Sequence, residues 1–474
     1  MNAARGILAV LALLVVTGIA PAQEAEAPAE QQGARIRFEV RFSRPLAEFV
    51  FLRQLAAKAP TNPFQGAFTG SKFDTPENRE QVTAFNAIPL DYEYEFHEYP
   101  FGQKFGGSIL FSLKRNLVLS DSLSEFRMLS IGLVPLCDLN RLVDVMERLA
   151  PVYDELVYEP ARTALEQQLK DIEELVTSKD IGQYFEQARV FYRSSWDPSI
   201  PFLFVFYPLP SSRGFNATAY GNVAECALPT SYSEYIGVLS VMLHEATHIL
   251  SDEQSLEFKK ELEDWFTSNP SRYSRLARGL MEESWATAVA NGYFQEKLSG
   301  KLNPGSWYNW KYNDLMAKQL YPLFKEYLEN GEPIDRPLID EYVAIYESEF
   351  PGWISEWDNL LTGRYVISEN PADFDLLATR FPYCPLSKYL PDFSERSFER
   401  LQESTTTKLV VVAGDNERKL DLVRSHFHDL ESWRPDPKQD FVHARLLSDR
   451  TPLIVVNLVN GSLEKVFESK LEMH

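Results

Sequence analysis

The stretch SYSEYIGVLSVMLHEATHILSDEQ at 231–254 constrains the fold more than any other part of the chain. Ile236, Leu239, Leu243, Ala246 and Leu250 recur at helical spacing, which predicts a helix with one apolar face turned into a core. Ser231, with Glu234 three residues on, reads as a capping box and predicts the start of that helix. A segment this apolar on both flanks belongs inside the protein, and it carries His244, Glu245 and His248 with it. These three residues spell H-E-x-x-H. His244 and His248 are four apart, so their imidazoles project from one face, one turn from each other. Two ring nitrogens at that spacing can reach one Zn²⁺ at about 2.0–2.1 Å each. Glu245 lies beside them without being a ligand, placed to take a proton from water.

A catalytic zinc site needs a third protein ligand and one open position. The extended pattern H-E-x-x-H-x-x-G-x-x-H is not met, because Ser251 and Gln254 stand where its glycine and third histidine belong. A second helical segment, LMEESWA at 280–286, offers carboxylates instead. Glu283, Ala286 and Ala290 share a face at i, i+3 and i+7, and small residues there permit a close helix–helix approach. Glu283 is the expected third ligand, with Glu282, Asp252 and Glu253 as alternatives.

The segments HEATH at 244–248 and MEESWA at 281–286 together resemble the gluzincin metallopeptidases. Matched residue by residue, Glu283 takes the metal-binding glutamate position and Ala286 the small residue three beyond. Glu282 and Ser284 replace an Asn and a Gly of the family pattern. The resemblance covers residues 200–300. No G-x-M-E-N signature stands upstream, so aminopeptidase activity is not implied and an endopeptidase is the expectation. The resemblance implies a Zn²⁺ cofactor, a peptide or protein substrate, and Glu245 as general base. A neutral donor for the oxyanion would complete the site. Tyr293, Tyr308, Tyr312, Tyr342 and Tyr346 are candidates, as are His97, His426, His428, His443 and His474. Residues 214–229, an extended stretch before the helix, are the candidate wall against which substrate backbone pairs.

The rest of the chain reads as an α+β protein. Ile36, Phe38, Val40 and Phe42 alternate as a strand, and 46–57 looks helical. Residues 60–80 are rich in Pro, Gly, Asn and Asp and read as a loop. From 142 to 192 helix formers dominate, with breaks expected near Pro151 and Pro160. PFLFVFYP at 201–208 is a buried strand, and a long helical region runs from 231 to 358. Strands at 409–412 and 453–458 flank a helix at 416–428. The turn at Gly414-Asp415 lacks any phosphate-loop glycine pattern and reads as an ordinary strand-to-helix turn. The expected organisation is an N-terminal α+β region at 35–200, then a zincin-like catalytic domain at 201–404, mostly helical after a small sheet. A small C-terminal α/β appendage at 405–474 follows.

Arg5, the 14-residue apolar run from Ile7 to Ala20 and the small residues of Ala20-Pro21-Ala22 read as a signal peptide at 1–22. Residues 23–34 read as a flexible tether. Export is therefore expected, to a periplasmic or extracellular location, without stable membrane insertion after cleavage. The net charge of −21 argues against nucleic acid as a partner, which requires basic stripes. Cys137, Cys226 and Cys384 are an odd set, so at most one intrachain disulfide can form. A catalytically silent zincin fold serving as an exported binding protein is the competing expectation. The presence of Glu245 favours the enzyme, since a silent protein has no chemical need for it.

Overall fold

The computed structural model describes residues 35–57, 62–90, 98–99, 108–211, 217–384 and 386–473. The signal peptide and tether expected at 1–34, and His97 and His474, lie outside the described residues. The described chain is an α+β protein, mostly helical, with two small mixed sheets.

The first sheet joins β1 (Phe38–Arg41), β2 (Phe202–Leu209), β3 (Ala217–Tyr220) and β4 (Val223–Pro229) in the order β1-β2-β4-β3. β1, β2 and β4 are parallel, and β3 is antiparallel at the edge. β2 and β4 are buried throughout, because helices cover both faces of the sheet. Their two-residue period divides them between two cores. Phe202, Phe204, Phe206, Ala224, Cys226 and Leu228 join the core that surrounds the H-E-x-x-H helix. Leu203, Val205, Tyr207, Val223 and Ala227 join a second core built from N-terminal helices. β1 pairs with a strand some 160 residues later, so the regions on either side of residue 200 share one sheet. Gly221 turns the chain from β3 into β4 at a φ of +56°, a conformation that favours glycine.

Several elements differ from the sequence reading. Within the expected loop at 60–80, the described residues from 62 on are not an open loop. Pro63–Phe68 and Pro76–Asn86 are helices, started by Asn62 and Thr75 caps with proline at the first position. The expected break at Pro151 is also absent. Helix Leu136–Tyr153 passes through a wide π turn at Asp154–Tyr158 into helix Glu159–Ser178. Pro160 lies in the first turn of the last segment, where a missing N–H costs little.

The H-E-x-x-H helix spans Tyr235–Asp252 and begins four residues later than Ser231. Glu234 caps it without a side-chain bond, so the expected capping box does not form. The cause is tertiary. Gln168 Nε2 donates to the carbonyls of Pro229 and Tyr232 at 3.0 and 2.8 Å, holding this segment as a turn outside the helix. Leu239, Leu243, Ala246 and Leu250 are fully buried as expected.

The second sheet joins β5 (Gly363–Ile367), β6 (Leu386–Leu390), β7 (Thr407–Ala413), β8 (Phe441–Leu446) and β9 (Pro452–Leu458) in the order β6-β5-β7-β9-β8. It draws in two strands upstream of residue 405. Val366, Leu409, Val411, Ile454 and Val456 pack on the helical layer of the H-E-x-x-H core. No helix among the described residues is long and apolar enough to cross a membrane.

Candidate metal centre

Two helices build the site. The first carries His244, Glu245 and His248. The second, Ser274–Ala286, buries Leu276, Ala277, Leu280, Met281 and Trp285 and leaves Glu283 on the face toward the first. Close approach is achieved through small residues. Ala286 and Ala290 are buried, and Ser240 Oγ donates across the crossing to the Ala290 carbonyl at 3.2 Å.

At the crossing, His244 Nε2 lies 3.2 Å from Glu283 Oε2 and 3.2 Å from His248 Nε2. His248 Nε2 lies 3.6 Å from Glu283 Oε1. One ligand atom from each of the three residues falls within 4.8 Å of the others. Glu283, the expected third ligand, is therefore beside both histidines, and two of its alternatives, Glu282 and Asp252, are engaged elsewhere. Glu282 accepts from Ser251 Oγ at 3.2 Å and faces Arg278 at 3.8 Å. Asp252 pairs with Lys259 at 3.6 Å.

The electrostatics follow from this crowding. Burial opposes charge on Glu283, but the facing imidazoles outweigh it and hold the carboxyl well below its usual range. Burial likewise opposes charge on His248, and the Glu283 carboxylate overrides it, raising this imidazole to about 9. The trio thus gathers positive charge from whatever source is present. Two imidazoles and one carboxylate are a donor set suited to zinc, so the residues fit such an ion.

His244 is aimed by a residue that sequence reasoning missed. Its Nδ1 lies 3.2 Å from Asn291 Oδ1, and Asn291 Nδ2 donates to Ser240 Oγ at 3.1 Å. Since the Asn291 amide is spent on Ser240, its carbonyl faces the ring and His244 Nδ1–H is the donor. This assigns Nε2 to the cluster side. Asn291 sits in a π segment, Thr287–Phe294. A reading at 3.6 residues per turn cannot phase a residue beyond such a wide turn. Gly292 permits this geometry, since a Cβ there would meet Tyr321 at 2.7 Å and Trp307 at 2.9 Å.

Glu245 is half-buried and has no hydrogen bond or ion pair among the described residues. Its charge is felt by His248, Tyr308 and Cys226, which locates it between the cluster and β4. Of the tyrosines, Tyr308 alone among the five reaches the trio. Its ring centroid is 5.9 Å from that of His244, and its phenol faces the Glu283 carboxylate. Burial, followed by the Glu283 and Glu245 charges, pushes this phenol upward, so it remains a neutral donor.

The other candidates are structural. Tyr293 donates to Gln187, Tyr312 to Glu356 and Tyr342 to the Ala277 carbonyl, and Tyr346 accepts from Asn359. His426 stacks on Phe398, His428 pairs with Glu431 and His443 stacks on Trp433. Trp307 and Trp310 are core residues, packed on Tyr321 and Tyr383. Cys137, Cys226 and Cys384 are all unpaired thiols.

The fold and site define an α+β protein with a helix-borne His-His-Glu cluster and an adjacent free carboxylate. Comparison with family models, with curated proteins and with solved structures finds no match for this chain.

Proposed function

We propose that this chain is an exported zinc-dependent peptidase of the gluzincin type, with a zincin-like catalytic domain. The observation that carries the reading is the convergence of His244, His248 and Glu283 from two helices, with ligand atoms within 4.8 Å. These three residues would hold the ion. When bound there, zinc supplies Lewis acidity toward water and toward a peptide carbonyl. Glu245, unpaired beside the trio, accepts a proton from water and returns it to the leaving amine. Asn291 keeps His244 in the tautomer that presents Nε2. Tyr308 donates to the oxyanion. β3 supports the same reading, because it is an edge strand that packs, with β4, on the H-E-x-x-H helix. Substrate backbone pairs along such an edge, which reads main chain more than side chains.

The test combines metal analysis with cleavage mapping. The purified protein should hold about one zinc per chain and cut an unfolded peptide pool. Glu245→Gln should keep its zinc and lose turnover, and His244→Ala or His248→Ala should lose the metal. Zinc retained by both wild type and Glu245→Gln, with neither cutting any peptide, would replace the peptidase with an exported binding protein.

A further inference from the structure

Helix Ile109–Leu119, helix Leu123–Leu129 and the start of helix Leu136–Tyr153 meet at one corner of the N-terminal helices. Among the described residues nine large hydrophobic side chains are exposed, and five of them lie here: Leu119, Met128, Leu129, Ile131 and Leu136. Met128 and Ile131 are 71% and 65% exposed. Pro135 and Cys137, beside them in the chain, are exposed too. Apolar residues exposed singly are ordinary, but a cluster of them marks a contact surface.

The corner has a fixed backbone. Phe126, Val134 and Leu139 anchor it in the core on the sheet face away from the H-E-x-x-H helix. Asn116 Nδ2 donates to the Leu129 carbonyl at 2.9 Å, tying the first helix to the second. Arg127 Nε donates to Asn140 Oδ1 at 2.7 Å, tying the second to the third. The Leu133 N–H donates to the Ser130 carbonyl at 3.2 Å, and Gly132 makes the turn at a φ of +90°. A surface already held in place loses little freedom when a partner covers it.

The charges at this corner select the partner. The chain carries a net charge of −21, yet residues 119–141 hold three acidic and two basic residues. Neither a strongly basic protein nor an anionic lipid surface finds its complement in that balance. Arg127 donates to the neutral Asn140, and Glu125 accepts from the Asp121 N–H. Among the described residues neither forms an ion pair. A two-fold contact sets a patch against its own copy, so Arg127 and Glu125 can each meet the opposite charge on the other chain.

We propose that this corner is the interface of a two-fold symmetric dimer of this chain. Met128, Leu129, Ile131 and Leu136 form its centre, and Glu125 and Arg127 its rim. The contact builds on a different core from the one around His244, His248 and Glu283, so it stands whether or not these residues hold zinc. Cys137 lies inside the contact and loses access to solvent when the dimer forms.

Sedimentation velocity on the purified protein tests the dimer. At roughly 100 μM, enough to populate a dimer of micromolar Kd, the protein should sediment as two chains. Ile131→Asp puts a charge into the contact and should raise Kd by about tenfold or more. Ile131 is largely exposed in the single chain, so the variant should keep its fold, and Met128→Glu is a second variant of the same kind. A dimer joined elsewhere is told apart by Cys137, since Cys226 is buried and Cys384 half-buried. Labelling of Cys137 by a maleimide dye should slow as wild-type concentration rises, and should stay fast in Ile131→Asp. The proposal falls if the protein is a monomer at this concentration, or if Ile131→Asp and Met128→Glu both dimerise unchanged. It falls equally if Cys137 labels as fast in the dimer as in the monomer. Monomers that bind phosphatidylcholine vesicles, and lose that binding in Ile131→Asp, would give the corner to a lipid surface instead.

Discussion

At the scale of single residues, the site depends on which atom of each side chain faces inward. Asn291 decides this for His244, because its carbonyl oxygen takes the Nδ1–H. Asn291→Leu should therefore weaken zinc binding by about tenfold to a hundredfold, as second partners of metal-bound histidines do. Competition with a chromophoric chelator measures it, and Asn291→Asp should recover most of the loss. Tyr308→Phe removes a neutral donor while leaving His244, His248 and Glu283 in place. Zinc content should stay constant while kcat falls by about a hundredfold. Equal kcat in Tyr308→Phe would remove it from the mechanism. His244, Glu245 and His248 were readable from spacing, since a helix phases residues within a few turns, while Glu283 was the expected choice among four carboxylates. Tyr308 was one of ten open candidates, and Asn291 was not foreseen.

At the scale of elements, the two crossing helices are held by apolar packing on one side and small residues on the other. Leu243 is fully buried on the apolar face of the helix that carries His244, so Leu243→Ala should cost about 2–5 kcal/mol in chemical denaturation. The π segment after Glu283 presents a different sensitivity. Gly292→Ala must push Tyr321 or Trp307 aside, which should destabilise the protein by about 1–3 kcal/mol. A neutral result would mean that both rings relax freely. The elements misread from sequence share a cause. Ser231 and Glu234 satisfy a local capping rule, yet Gln168 from a distant helix holds that segment as a turn. Pro151 satisfies a local breaking rule, yet the helix continues into a π turn. Residues 60–80 look like a loop by composition, but the same prolines and polar residues start two short helices.

At the scale of the whole molecule, the first sheet and the helices around it bring His244, His248 and Glu283 together at the crossing of two helices, and that cluster links stability to pH. The folded His248 sits at about 9, above its ordinary 6.5, so protonation favours the folded, metal-free protein. That contribution is fully present below about 6.5 and is lost as pH rises through about 9. Metal-free protein should therefore melt at progressively lower temperature across this window. Zinc competes with the same proton, so the rise in Tm on adding zinc should grow over the same range. Melting curves with chelator and with added zinc check both slopes. A zinc increment independent of pH would exclude His248 as a ligand.

The amino-acid order settled the apolar face of Tyr235–Asp252, the H-E-x-x-H spacing and the α+β class, because each depends on neighbours within a helix turn or a strand pleat. Tertiary contacts alone decided that Glu283 meets both histidines and that Asn291 and Tyr308 join them. They also decided that β1 completes a sheet with strands 160 residues away. Such meetings depend on how two cores pack against opposite faces of one sheet, and no short-range pattern encodes that packing.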